Sequence, residues 1–140
     1  MKKRNQTMDL QKDNHIHFIG IGGSGISALA RMAYQAGYTV SGSNMEASSV
    51  TKALGQEGIK VYEDHSPEYI SEDIDLVIKT SAADLSSPAG PEIQAALDLN
   101  IPVKHREFLM DKFASSHKKS IGIAGTHGKT TTTSIVAHCL

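Results

Sequence analysis

At 140 residues the chain has room for one domain with its own hydrophobic core plus a further piece, and is short for two domains of ordinary size. Hydrophobic residues make up 39% and charged residues 21%, with a formal net charge of -1. That balance describes a globular chain, without the basic excess of a nucleic-acid binder and without a run long enough for membrane insertion.

The first 13 residues carry Lys2, Lys3 and Arg4, but no apolar stretch follows before His15, so they lack the middle region of a secretory signal and read as a flexible tail. The lone cysteine, Cys139, has no partner for an internal disulfide and reads as a small buried apolar residue. Both features fit a cytoplasmic protein. His15 to Ile19 is short, β-prone and ends directly in glycines, which predicts a strand feeding a tight turn. His15 and His17 alternate along it with Ile16 and Phe18 and are taken as structural. Ile26, Leu29, Ala30 and Ala33 then recur at helical spacing up to a stop at Gly37. A second strand is expected over Tyr38 to Ser41. Ser48 or Ser49 caps a helix carrying Val50, Ala53 and Leu54 and stopping at Gly58, and a third strand covers Ile59 to Tyr62.

Asp75 to Lys79 encloses a continuous apolar run, the pattern of a parallel strand covered on both faces. Pro91 suits a first helical turn, Ile93, Ala96 and Leu97 give that helix its apolar face, and Asn100 to Pro102 ends it before a fifth strand over Ile101 to Lys104. A last helix, about Arg106 to Ala114, places Phe108, Leu109 and Phe113 on one side. The alternation predicts an α/β fold, a Rossmann-like open parallel sheet with flanking helices. After the polar run Ser115 to Lys119, Ser120 to Ala124 reads as a new strand and Gly125 onward as a second glycine turn and helix. That second unit has no sheet of its own within the chain, so we expect a piece of something longer.

Gly20-Ile21-Gly22-Gly23-Ser24-Gly25 fits G-x-G-x-x-G between a strand and a helix, where absent side chains let a diphosphate approach and helix-start N–H groups face its charge. A site for NAD usually carries an acid about 20 residues on, at the end of the second strand. That end here reads Ser41-Gly42-Ser43-Asn44, which weakens NAD and favours a nucleotide sugar. Ligands in such sheets sit at the carboxyl ends of the strands. Those ends hold Gly20 to Gly25, Ser43, Asn44, His65, Thr80 to Ala82 including Ser81, and His105 with Arg106. Small hydroxyls, backbone donors and one guanidinium suit a sugar and a diphosphate, and no metal-ligand spacing occurs. His65 reads equally as a solvated loop residue, and Arg106 as a surface charge.

Gly125-Thr126-His127-Gly128-Lys129-Thr130-Thr131 is a shortened relative of the phosphate loop, with Ile123 where the first glycine of the strict pattern would stand. Its backbone N–H groups, Lys129 and Thr130 supply what a nucleoside triphosphate such as ATP and its Mg²⁺ require.

G-I-G-G-S-G-I, S-G-S-N, P-E-I, I-P-V and A-G-T-H-G-K-T-T-T-T together resemble the Mur ligases, from about His15 to the end of the chain. His127 is similar to the branch that joins L-alanine to UDP-N-acetylmuramate and to its neighbour, the murein peptide ligases, which attach a recycled tripeptide to the same sugar nucleotide. The resemblance implies a Rossmann-like UDP-sugar-binding domain over residues 14–117 and the start of a truncated central ATP-binding domain over 118–140. It implies ATP-dependent amide-bond formation through an acyl phosphate, with ATP and Mg²⁺ as cofactors and UDP-N-acetylmuramate and L-alanine as substrates. By that resemblance Lys129 and Thr130 are catalytic, with Thr130 holding Mg²⁺. Gly125, Thr126, His127, Gly128, Lys129, Thr130 and Thr131 bind ATP. Gly20, Ile21, Gly22, Gly23, Ser24 and Gly25 bind the diphosphate, and Ser43, Asn44, His65, Ser81 and Arg106 surround the sugar and uridine. Asn44 stands where the family often has aspartate. The polypeptide alone is expected to be inactive, and its oligomeric state is left open. A reading of another class is a non-catalytic NAD(P)- or nucleotide-sugar-binding regulatory module.

Overall fold

The structure is a computed structural model in which residues 9–116 are described. The expected strand at 120–124, the second glycine loop from Gly125 to Thr131 and Cys139 lie outside the described residues, as does most of the expected N-terminal tail. The described residues fall into two units that part between Met110 and Asp111, and the sheet lies in the first.

Five strands carry the fold: β1 (His15–Ile19), β2 (Thr39–Ser43), β3 (Lys60–Tyr62), β4 (Leu76–Lys79) and β5 (Val103–His105). They form one parallel sheet in the order β3-β2-β1-β4-β5. The helices are α1 (Ser24–Gln35), α2 (Ser49–Gln56), α3 (Gly90–Asp98) and α4 (Arg106–Ser115), with a 3-10 turn at Pro67–Tyr69. The α/β Rossmann-like architecture is the one the alternation of periods predicts. The chain runs outward from β1 to β3 and then returns to the other side of β1, so strand order reverses between β1 and β4. A crevice opens at such a reversal, beyond the carboxyl ends of the strands.

Central strands of a parallel sheet are covered on both faces. Accordingly Ile16, Phe18, Ile19, Leu76, Val77 and Ile78 are all excluded from solvent. On one face Ile19 and Val77 pack with Ile93, Ala96 and Ile101 under α3. The helices stop where the sequence places stops: Gly37 and Gly58 adopt positive φ, and Asn100 does the same after α3.

The end of β2, the start of β5, a 3-10 turn and one helix face differ from expectation. β2 runs on to Ser43, two residues past the expected end at Ser41, because its residues pair with β1 from His15↔Thr39 to Ile19↔Ser43. β5 begins at Val103, since Pro102 has no N–H and serves only as the carbonyl acceptor for Val77 N–H. The 3-10 turn at Pro67–Tyr69 was not foreseen; Ser66 caps it by accepting from Glu68 N–H. In α3, Leu97 is 45% exposed while Glu92 is fully buried, so the inward stripe is Glu92, Ile93 and Ala96.

Gly42 explains how a loop can fold over the sheet. A Cβ there would lie 2.5 Å from Ile21 Cδ1 and 2.7 Å from Phe18 O. Neither backbone nor the fully buried Ile21 has room to yield. Gly42→Ala is therefore expected to destabilise the chain by about 1–3 kcal/mol through overpacking, read as a lower midpoint in urea unfolding. Wild-type stability would show that the loop is not seated on β2.

Candidate functional site

The glycine loop leaves β1 and is tied down before it reaches α1. Ser43 O accepts from both Gly20 N–H and Ile21 N–H, at 2.8 and 3.0 Å. Gly22 N–H donates to Asn44 Oδ1 at 3.2 Å, and Gly23 N–H to Gly20 O at 3.1 Å. The first four loop N–H groups are thus spent on the loop's own shape. Gly23 caps α1 without a side-chain acceptor. Among the described residues, no acceptor meets the first-turn N–H groups of Ser24, Gly25 and Ile26, which an α-helix cannot satisfy internally. Anion-binding capacity therefore sits at Ser24 to Ile26 rather than across the whole motif. The Ile21 side chain is fully buried in the space over Gly42, so this residue offers a ligand only its backbone.

Several predicted residues come together around this helix start. Arg106 reaches back over it, with Nη1 2.6 Å from where a Gly25 Cβ would be. Among the described residues its ion pair is with the exposed Glu107, at 3.3 Å. Thr80 stands beside Gly20, and Ser81 follows in an exposed turn. Asn44 spans two segments, accepting from Gly22 and donating through Nδ2 to Glu46 O at 2.8 Å. An aspartate would have no hydrogen for the second bond, which gives the amide at this position a structural use.

His65 is anchored and largely buried rather than a free loop side chain. Its side chain is 11% exposed, and Nδ1 lies 3.0 Å from Ser43 Oγ and 2.9 Å from Glu92 Oε2. Glu92 is the residue that sequence reasoning missed as a site component. It sits in the first turn of α3, fully buried, with Oε1 2.6 Å from His17 Nε2 and Oε2 accepting from Ser43 Oγ at 2.9 Å. A signal was available, since Glu92 shares a helical stripe with the core residue Ala96, four positions on. His17 in turn bonds Ser41 Oγ through Nδ1 at 2.8 Å; Ser41 Oγ also meets His15 Nε2 at 2.7 Å, and His15 Nδ1 meets Asp73 at 2.8 Å.

The one Ser41 hydrogen serves only one of the two ring nitrogens that face its oxygen, so Ser41 donates to one ring and accepts from the other.

Asp73 is held below the usual carboxylate range, first by the Ser71 hydroxyl and then by His15. The Tyr69 phenol donates to Asp64 and is thereby pushed up to about 12. Its ring stacks on Tyr62 at 3.7 Å between centroids. An open groove of about 520 Å³ lies apart from the glycine loop, lined by residues including Lys79, Leu85, Ile93 and Leu97 and by none of the predicted site residues. Among the described residues no cluster of metal-ligating side chains occurs, and no helix is long and apolar enough to cross a membrane.

The sequence profile described as Mur ligase family, catalytic domain, matches residues 15–118. UDP-N-acetylmuramate--L-alanine ligase of Agathobacter rectalis is 44% identical over 133 residues, 95% of this chain and 28% of that protein. The crystal structure of UDP-N-acetylmuramate-alanine ligase from Thermotoga maritima superposes with a TM-score of 0.80 at 40% identity, covering 89% of this chain and 28% of that one. UDP-N-acetylmuramate:L-alanyl-gamma-D-glutamyl-meso-diaminopimelate ligase from Neisseria meningitides gives 0.79 at 33%, covering 89% of this chain and 38% of that one. The chain thus spans between a quarter and two fifths of the relatives it matches.

Ser41→Ala would strand a nitrogen of the fully buried His17 and break the path between the two rings. A loss of about 1–3 kcal/mol in urea unfolding is expected. A loss below about 0.5 kcal/mol would contradict the bridge through Ser41. In a second measurement, Asp73→Asn should slightly flatten the acid limb of stability. A depressed carboxyl stabilises the fold above its unfolded value of about 3.9 and ceases to do so as pH falls through its folded value. The effect is small because the Asp73 side chain is 68% exposed.

Proposed function

The chain belongs to the Mur ligase family, and from that premise we propose that it is the nucleotide-sugar-binding part of a UDP-N-acetylmuramate:L-alanine ligase. The observation that carries this reading is the uncapped start of α1 with Arg106 laid over Gly25. Three N–H groups and a guanidinium converge where a diphosphate would sit. Asn44, His65 and Ser81 extend the rim toward the sugar and base, with Ser43 buried behind them as their support. The rest of the predicted loop, Gly20 to Gly23, sets the backbone path that makes room for the ligand.

In this proposal residues 14–117 form the UDP-sugar domain and 118–140 open an ATP-binding domain. ATP supplies the phosphoryl group that activates a carboxylate for attack by the amino group of L-alanine. Lys129 neutralises charge on the outer phosphates and Thr130 holds Mg²⁺, with Gly125, Thr126, His127, Gly128 and Thr131 around them. In this reading the protein works in the cytoplasm. A murein peptide ligase is the second reading, supported by the 0.79 superposition on the Neisseria enzyme. The higher identity to the L-alanine ligases favours the first.

Arg106→Ala should weaken UDP-N-acetylmuramate binding about ten- to a hundredfold in calorimetry, the worth of a charge-assisted hydrogen bond to phosphate. Stability should barely change, because its pair with Glu107 is exposed. Unchanged affinity would remove Arg106 from the site, and preference of the wild type for NADH would sink the ligase reading. In a protein extended to the length of its relatives, Lys129→Ala should lower turnover by roughly one to two decades. UDP-sugar affinity should hold.

A further inference from the structure

His65 presents two nitrogens in different circumstances. Nδ1 faces Ser43 Oγ and Glu92 Oε2. The single hydrogen of Ser43 already goes to Glu92 Oε2, and an ionised carboxylate only accepts, so hydrogen between the ring and this pair has to come from Nδ1. Nε2 has no hydrogen-bond partner among the described residues, where no buried side-chain nitrogen or oxygen is left unpartnered. Nε2 therefore reaches solvent, although the side chain is only 11% exposed. One edge of the ring is anchored and the other opens beside Ser43, whose carbonyl holds the glycine loop.

We propose that Glu92 is a positioning residue: it fixes the neutral His65 ring as the Nδ1–H tautomer and makes Nε2 a hydrogen-bond acceptor on the nucleotide rim. Such an acceptor suits a neutral donor of the ligand, the uracil imide N–H or a sugar hydroxyl, and disfavours the diphosphate. The ligand assignment rests on the nucleotide-sugar reading above; the tautomer does not. Glu92 holds this state because its other oxygen is committed to His17, itself fully buried. Replacing Glu92 by glutamine has a defined consequence. The amide oxygen stays with His17 Nε2–H, so the amide nitrogen turns to His65 and donates to Nδ1, which moves the ring hydrogen to Nε2.

The test uses the 140-residue chain with ¹⁵N-labelled histidine at pH 8, with His65 assigned by the signals lost in His65→Gln. Two-bond ¹H–¹⁵N spectra should give His65 a protonated Nδ1 and a bare Nε2 in the wild type, inverted in Glu92→Gln. UDP-N-acetylmuramate should bind Glu92→Gln about ten- to a hundredfold more weakly, since an acceptor has become a donor. A wild-type Nε2–H ring would overturn the proposal even if Glu92→Gln fails to fold. So would an inverted tautomer in Glu92→Gln with unchanged affinity. A wild type that shows the Nδ1–H ring but binds no sugar nucleotide would support the positioning role of Glu92 and remove the functional reading instead.

Discussion

A carboxylate with no solvent contact organises this fold. Removing an ion from water costs several kcal/mol even after relaxation, unless donors replace the lost hydration. Glu92 obtains its donors from His17 on β1, Ser43 on β2 and His65 in the segment after β3. Those elements are far apart in sequence, and the carboxylate comes from α3. Docking of α3 is thereby tied to the pairing of β1 with β2 and to the placement of the segment after β3. An apolar side chain at position 92 would pack α3 on the sheet without specifying that alignment.

The same constraint reaches the ligand rim through one residue. Ser43 donates its side-chain hydrogen to Glu92, while its carbonyl accepts from Gly20 and Ile21 at the base of the glycine loop. A shift of Glu92 would disturb both the His65 ring and the backbone that aims α1. Gly42, next to Ser43, leaves the space that Ile21 fills. The buried polar network and the anion-facing helix start are therefore two ends of one mechanical unit. Hydrogen bonds through Ser41 extend that unit from His17 to His15 and on to Asp73.

Elements with strong periodicity were legible in the sequence. β1 falls at His15 to Ile19 as expected, and both helix stops at Gly37 and Gly58 are realised. Juxtapositions were less legible. Placing Arg106 at the end of the fifth strand was enough to bring it to the rim, because strand ends of a parallel sheet converge there. Its approach to Gly25 follows from side-chain direction, which spacing does not encode. Glu92 was overlooked because an acid in a helix's first turn is ordinarily explained by the helix dipole. Only its place on the inward stripe distinguishes it. His15 and His17 both meet Ser41, but nothing local tells that Ser41 lies between them, since that depends on the register His17↔Ser41.

The most direct test of Glu92 as the organising charge is a double-mutant cycle in urea unfolding between Glu92→Gln and His17→Gln. Residues joined in one buried network give coupling energies of about 0.5–3 kcal/mol, whereas independent sites add within about 0.5 kcal/mol. The pair should couple by at least about 2 kcal/mol, with the second substitution costing much less once the first is made. Additive losses would contradict a fold arranged around this carboxylate.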